Sequence, residues 1–359
     1  MATPSRDSVR VSRAGWIILS ASIVGFVVLL WTLQHVGGRQ VVDGVRRLGW
    51  GFAGVVALGG ARFAIRASAW VRCIESPARI TFRAAWAAFL AGDAAGTVIP
   101  AGLLASEPTK AFMVADRLPA NDAVASIAIE NMLYGLSVGL MIAGGASAFL
   151  QVAEVSTPLR QTVMAATTAF LLSSVALAAL TMTSRRPVSW LWSRLATCAA
   201  RAGSSGPAVA RIATVEGRIF GFASRGWRRW LAVMGLEISY HAISVLEVWL
   251  TLIVILPPAV RPSVVQAFVL ESVNRLVTVL FKVVPLRIGI DEAAAGAVAQ
   301  VLALPPATGV TLALVRKGRT LCWTAVGLVV MATRGNSLRQ SFRPERRAED
   351  SSLARPGEG

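Results

Sequence analysis

Lysine and histidine are nearly missing from this sequence. Only three of its 36 basic residues are lysine (Lys110, Lys282 and Lys317), and His35 and His241 are the only histidines. Two isolated histidines in apolar surroundings exclude a histidine-based metal centre or catalytic triad, because a lone imidazole in such a run is a packing residue far more often than a ligand. Cysteine is equally sparse. Cys73, Cys198 and Cys322 are too widely spaced for a metal pattern and too few for an even set of disulfides. Charged residues make up 15% of the chain, against about 25% in ordinary soluble domains. That shortage excludes a disordered chain and a water-soluble enzyme. A nucleic-acid module is excluded too, since it needs a soluble basic face with interleaved aromatics. No G-x-x-x-x-G-K-[ST] loop is present, so no nucleotide phosphate is expected to drive the protein. No cofactor is expected.

What remains is apolar and basic. Hydrophobic residues form 55% of the chain, the mean hydropathy is +0.60 and the net charge is +17. This is the composition of a polytopic membrane protein whose excess arginine lies on loops beside anionic lipid. The fold class expected is an all-α polytopic membrane protein with six to eight transmembrane helices and two interrupted or re-entrant hairpins in an inverted repeat.

The apolar runs set the organisation. Residues 1–15 form a basic N-terminus. The run Trp16–Leu33 is too long for a signal-peptide core and no small-residue cleavage site follows it, so it reads as a retained span. Leu48–Val71 carries Arg62 and Arg66 one helical turn apart, on one face. These two arginines either extend a polar path or anchor the helix. Residues 84–115 are apolar but interrupted at Gly96, Pro100 and Gly102. Spans near Ala123–Leu150 and Thr162–Met182 complete a first membrane half, 16–183. A basic segment, 184–229, follows with nine arginines and one glutamate. Within it, Ile212, Val215, Ile219 and Phe222 share a face while Arg211, Arg218 and Arg225 recur every seven residues. That pattern fits a helix lying on the membrane surface, with a solvated loop helix as the alternative. The second half, 230–333, holds a span near Trp230–Leu256, an interrupted stretch over 262–304 with Pro285 and Gly289 inside it, and a last span near Thr308–Thr333. Residues 334–359 are polar and read as a disordered tail.

Arginine sets the orientation. Placing both termini, the 72–83 segment, the 116–122 turn and the 184–229 segment inside puts 22 arginines there and four on the outside loops. The 34–47 loop, with Arg39, Arg46 and Arg47, fits this least well. The first interrupted stretch then begins and ends inside, and the second begins and ends outside. Two hairpins entering from opposite faces are the signature of an inverted repeat whose broken helices meet near the midplane.

The two interrupted stretches share one spacing. Pro100 precedes Glu107 by seven residues, and Pro285 precedes Glu292 by seven. Each glutamate opens a returning helix. It can serve as a cap favoured by the helix dipole, or it can face a pathway, as costly intramembrane charges usually do. Further along, Glu130 and Asn131 in the first half correspond to Arg316 and Lys317 in the second, with Arg319 close by, and opposite charges at matching positions suggest pairing across the pseudo-two-fold axis. Asp93 and Lys110 add charge to the first hairpin. Glu271, Asn274, Arg275, Lys282, Arg287 and Asp291 add polar groups to the second. For Lys282, Arg287 and Asp291 the alternative is that they snorkel to the interface. Guanidinium groups beside an apolar groove suit an anionic amphiphile, since arginine binds phosphate bidentately and the groove accepts acyl chains.

The segments Gly92–Glu107 and Pro285–Glu292 resemble the two hairpin motifs of the lysylphosphatidylglycerol synthase transmembrane-region family, whose members are also described as flippase-like. The family motif reads roughly Pro-Gly-Gly-Leu-Gly-x-x-Glu. Pro285, Gly289 and Glu292 match it in the second copy, and Pro100, Gly102 and Glu107 in the first. Leu104 stands where glycine is common, and Thr97 and Lys282 stand where an asparagine often precedes the proline. The resemblance covers most of residues 14–333. It implies a multi-pass bacterial inner-membrane protein that moves or binds lipid. Founding members join this region to a soluble aminoacyltransferase domain. No such domain is recognised in this sequence, so no synthase activity is carried over and the protein is not expected to be an enzyme. The expected partners are membrane lipids, an anionic phospholipid or another amphiphile, and not nucleic acid; the oligomeric state is open. Two other readings stand beside the lipid flippase: an integral-membrane transferase using a lipid-linked donor, and a non-transporting partner in a lipid or glycan synthesis complex.

Overall fold

A computed structural model of the chain describes residues 27–35, 37–75, 80–99, 103–153, 156–181, 217–218, 222, 226–281 and 284–353. The described residues contain helices and no strand. Residues 27–35 are the described part of the first span. They are followed by α1 (Gly38–Leu48), α2 (Gly51–Cys73), α3 (Phe82–Val98), α4 (Leu103–Phe112), α5 (Ala120–Val152), α6 (Thr157–Thr181), α7 (Trp227–Ile255), α8 (Val264–Leu280), a 3-10 turn at Pro285–Arg287, α9 (Ile290–Val301) and α10 (Pro306–Leu353). Three of these, α2, α5 and α7, are long and apolar enough to cross a bilayer by length and composition. The chain is an all-α polytopic membrane protein.

Local chemistry sets the helix ends. Thr81 starts α3 by accepting a hydrogen bond from the Ala84 N–H at 3.3 Å. Ser263 and Gln266 form a reciprocal capping box at the start of α8, with bonds of 3.1 and 2.8 Å. Pro257 and Pro258 follow the end of α7, and Pro306 occupies the first turn of α10, where its missing N–H costs nothing.

Both interrupted stretches are two helical arms joined by a break. In the first, α3 and α4 pack against each other across residues 99–102. In the second, α8 and α9 pack across 281–289. Pro100, the first-copy motif proline, and Lys282 lie outside the described residues. So does most of the 184–229 segment, including its expected interfacial helix.

α10 is the central post. It packs on α9, α3, α1 and α2. Glycine makes the closest approaches: a Cβ on Gly309 would meet the backbone of Ala295, and one on Gly327 would meet the Leu90 carbonyl. Small residues let membrane helices gain dispersion and backbone contact where lipid supplies no hydrophobic drive.

Two segments differ from expectation. Residues 38–48, taken as part of an outside loop, form α1. Val41, Gly44 and Leu48 recur on one face and are buried, while Arg39, Val42, Arg46 and Arg47 are exposed. The period is helical although the segment is too short and polar to register as a span. The polar stretch after residue 333, expected to be disordered, continues α10 to Leu353; its arginines and glutamates are good helix formers.

Candidate functional site

The helices enclose a cavity of about 970 Å³, reached by α2, α3, α4, α5, α7, α8, α10 and the break before α9. Its lining is of two kinds. Apolar side chains beside the helix breaks are exposed: Val98, Ile99, Val279 and Leu280. Basic side chains also line it: Arg62 and Arg66 from α2, Lys110 from α4, Arg275 from α8, Arg287 from the second break, and Arg316, Lys317 and Arg319 from α10. Four acids share that wall, Asp93, Glu107, Glu271 and Asp291. The remaining acids of the network stand behind the cations.

Ion pairs hold this layering. Arg66 binds Glu130 at 2.6 Å, donates to Asn131 Oδ1 at 3.3 Å and lies 3.8 Å from the Tyr134 ring centroid. Arg62 binds Glu247 at 3.3 Å and donates to the Tyr240 hydroxyl at 2.7 Å. Arg319 also pairs with Glu247. Glu271 is held by Arg275 at 2.7 Å and Arg316 at 2.5 Å. Arg275 further donates to Ser244 at 3.1 Å and reaches the Tyr134 and Tyr240 hydroxyls at 3.4 Å. Glu130, Glu247 and Glu271 are all almost fully buried. Glu130 and Glu247 hold their cations from behind the cavity wall, and Glu271 from within it. An uncompensated buried cation would cost several kcal/mol, so the network is also a condition for folding.

The second break is strained where it meets the cavity. Leu286 and Arg287 adopt φ of 49° and 46°, and Gly289 one of 82°. The left-handed region costs a non-glycine residue roughly 1–2 kcal/mol, and strain of this kind concentrates at binding sites. It sets Arg287 against Asp291 at 3.0 Å, and presents the Arg287 carbonyl to Lys317 at 3.3 Å. Glu292 turns back to accept from the Gly289 N–H at 2.8 Å and binds Lys317 at 2.5 Å. In the first hairpin, Glu107 binds Lys110 of its own helix at 3.1 Å, and Lys110 lies 4.4 Å from the Phe89 ring centroid.

Most residues singled out in the sequence therefore converge. Asp93, Glu107, Lys110, Asn131, Glu271, Asn274, Arg275, Arg287, Asp291, Arg316, Lys317 and Arg319 line one cavity. Glu130, Gly289 and Glu292 are buried behind it. Pro285 opens the 3-10 turn. The matching-position charges do not pair with each other: Glu130 goes to Arg66, Arg316 to Glu271, and Lys317 to Glu292 and Asp291. Each finds an acid or cation nearer than the opposite repeat. Arg62 and Arg66 line the same cavity.

Four participants escaped the sequence reading. Glu237 and Glu247 lie within the span read over 230–256, and the rule that flags intramembrane charge flags them as well. Tyr134 and Tyr240 carry no signal of their own; only packing brings their hydroxyls to the arginines. Among the described residues, no group of three metal-ligating side chains is close enough to hold an ion.

A basic cavity between broken helices in an all-α membrane protein defines the class as a membrane protein with an intramembrane polar site. The profile of the family described as Lysylphosphatidylglycerol synthase TM region matches residues 17–327, and the chain belongs to that family. It is thus a membrane protein of lipid metabolism or transport. No curated relative and no solved structure matches the chain.

Proposed function

We propose that this protein is a lipid flippase or lipid-binding transporter that takes the headgroup of an anionic amphiphile into the basic cavity while the acyl chains lie along the open apolar wall. The observation that carries this reading is the cavity itself. Eight cations and four acids line it together with exposed aliphatic side chains beside the helix breaks. Arginine forks grip phosphate bidentately. Glu107 and Asp93 offer a place for a cationic part of a headgroup. The two interrupted stretches act as an inverted repeat in the bacterial inner membrane, with both termini inside, and one repeat rocks against the other to expose the site alternately.

The other readings have less support. A non-transporting scaffold is favoured if the hairpin charges neutralise one another and leave no space, and here a large cavity remains. A transferase is favoured if Asp93 or Glu107 stands at the membrane surface; that both line the cavity beside the cations supports the lipid-binding reading.

The test is movement of fluorescent anionic and zwitterionic phospholipids in proteoliposomes. Wild type is expected to move the anionic lipid faster, and Arg287→Gln to lose that preference by about tenfold, the equivalent of ~1.4 kcal/mol. Absence of lipid movement with and without a proton gradient, together with absence of bound lipid in native mass spectrometry, overturns the reading.

A further inference from the structure

One buried acid has no role in the anion site as described. Glu237 on α7 is 0% exposed, and neither of its carboxyl oxygens has a hydrogen-bond partner; the same holds for Glu130 Oε2 on α5. The two carboxyl groups face each other. Arg66 binds Glu130 through Oε1. The other titratable or charged groups around the pair are Cys73 of α2, Lys110 of α4, Tyr134 of α5 and Tyr240 of α7. Lys110 is already bound to Glu107.

Two ionised carboxylates offer only acceptors, so two such groups in contact hold together only by sharing a proton. With Glu130 ionised against Arg66 and Glu237 carrying that proton, the trio is neutral, which is the state a buried site demands. Arg66 also lines the cavity. It is therefore bound to the carboxyl pair and also faces the anion site.

We propose that Glu130 and Glu237 form a proton-binding site, and that Arg66 is the shared cation which passes from Glu130 to an incoming anionic headgroup as the pair takes up a second proton. The balance closes. One anionic charge enters the cavity and takes over Arg66, one proton from water protonates the carboxylate left behind, and the buried trio with its ligand stays neutral. Binding of one anion thus carries one proton with it. A proton gradient can then drive lipid movement without a nucleotide. This inference rests on the anionic-lipid reading of the cavity, while the proton site can be tested without it.

Two measurements separate the two ideas. The first is infrared difference spectroscopy of the lipid-free wild-type protein at neutral pH. A protonated-carboxyl band is expected, and it should vanish in Glu237→Gln. Absence of that band in the wild type, or its persistence in Glu237→Gln, overturns the proton site whatever the lipid does. The second is calorimetric binding of a short-chain phosphatidylglycerol, whose phosphodiester carries one fixed negative charge, in buffers of different ionisation enthalpy. Wild type is expected to take up about one proton per lipid bound; Glu237→Gln keeps that uptake, because Glu130 is still the carboxylate left behind, and the Glu130→Gln/Glu237→Gln double variant takes up about none. Binding without proton uptake in the wild type overturns the coupling and needs no variant to fold. A neutral-pH carboxyl band with no lipid binding overturns the lipid reading and the coupling while leaving the proton site standing.

Discussion

In the first interrupted stretch Glu107 faces the cavity with 28% of its side chain exposed, and its partner Lys110 is 5% exposed. In the second the order is reversed: Glu292 is 1% exposed and Lys317, in front of it, is 16% exposed. Both glutamates follow their proline by seven residues. The difference lies in where the cation comes from. Lys110 is three residues along the same helix, so the pair is local and its acid is free to turn toward the cavity. Lys317 comes from α10, and the break before α9 leaves the Gly289 N–H pointing at Glu292. That glutamate caps its helix and neutralises a neighbour at once. One spacing has therefore produced a cavity-facing acid in the first interrupted stretch and a structural acid in the second.

Substitutions can break this comparison. The largest effect is expected for Glu292→Gln, which leaves Lys317 with the Arg287 carbonyl and, as its one remaining acid, Asp291 at 3.6 Å, and weakens the cap; removing one partner of a buried pair costs about 3 kcal/mol or more. Thermal unfolding in detergent should show that loss, while Glu107→Gln should lose less, because its carboxylate is 28% exposed and Lys110 keeps the Phe89 ring beside it. Equal losses would erase the distinction. Next is Gly289→Ala, which forces a side chain into φ of 82° and is expected to cost roughly 1–2 kcal/mol by the same measurement; an unchanged stability would mean the break relaxes freely.

A functional readout sharpens the contrast further. Glu107→Gln removes a negative charge from the cavity wall, so the preference for anionic over zwitterionic lipid should rise about threefold, or ~0.7 kcal/mol. Arg287→Gln should shift it the other way. Shifts of the same sign would mean that both variants act through folding rather than charge. The smallest effect is expected at Arg117→Gln. Its pair with Asp116 is 41% and 33% exposed, and losing it should change stability by less than about 0.5 kcal/mol. It is the control that ties the large effects to burial.

Much of the site was legible because membrane proteins tolerate so few charges. A cation such as Arg275 or Arg316 in an apolar run announces a partner or a pathway by its position alone. Partner identity was not legible. Repeat symmetry suggested that Glu130 and Asn131 meet Arg316 and Lys317, yet each is bound elsewhere. Contacts such as Arg66–Glu130 or Arg62–Glu247 join residues 64 and 185 positions apart, and no local pattern encodes such distances. α1 was hidden for a different reason. Its burial depends on three small or branched residues meeting α10, and eleven residues with three arginines look like loop.

The amino-acid order by itself determined the membrane class, the positions of both helix breaks and the family, because hydropathy, proline placement and charge scarcity are properties of short segments. Only the tertiary structure decided which charges face the cavity and which stand behind it. Burial and pairing depend on helices brought together from distant parts of the chain, and in a low-dielectric interior a cation's role is set by the nearest acid rather than by its place in the sequence.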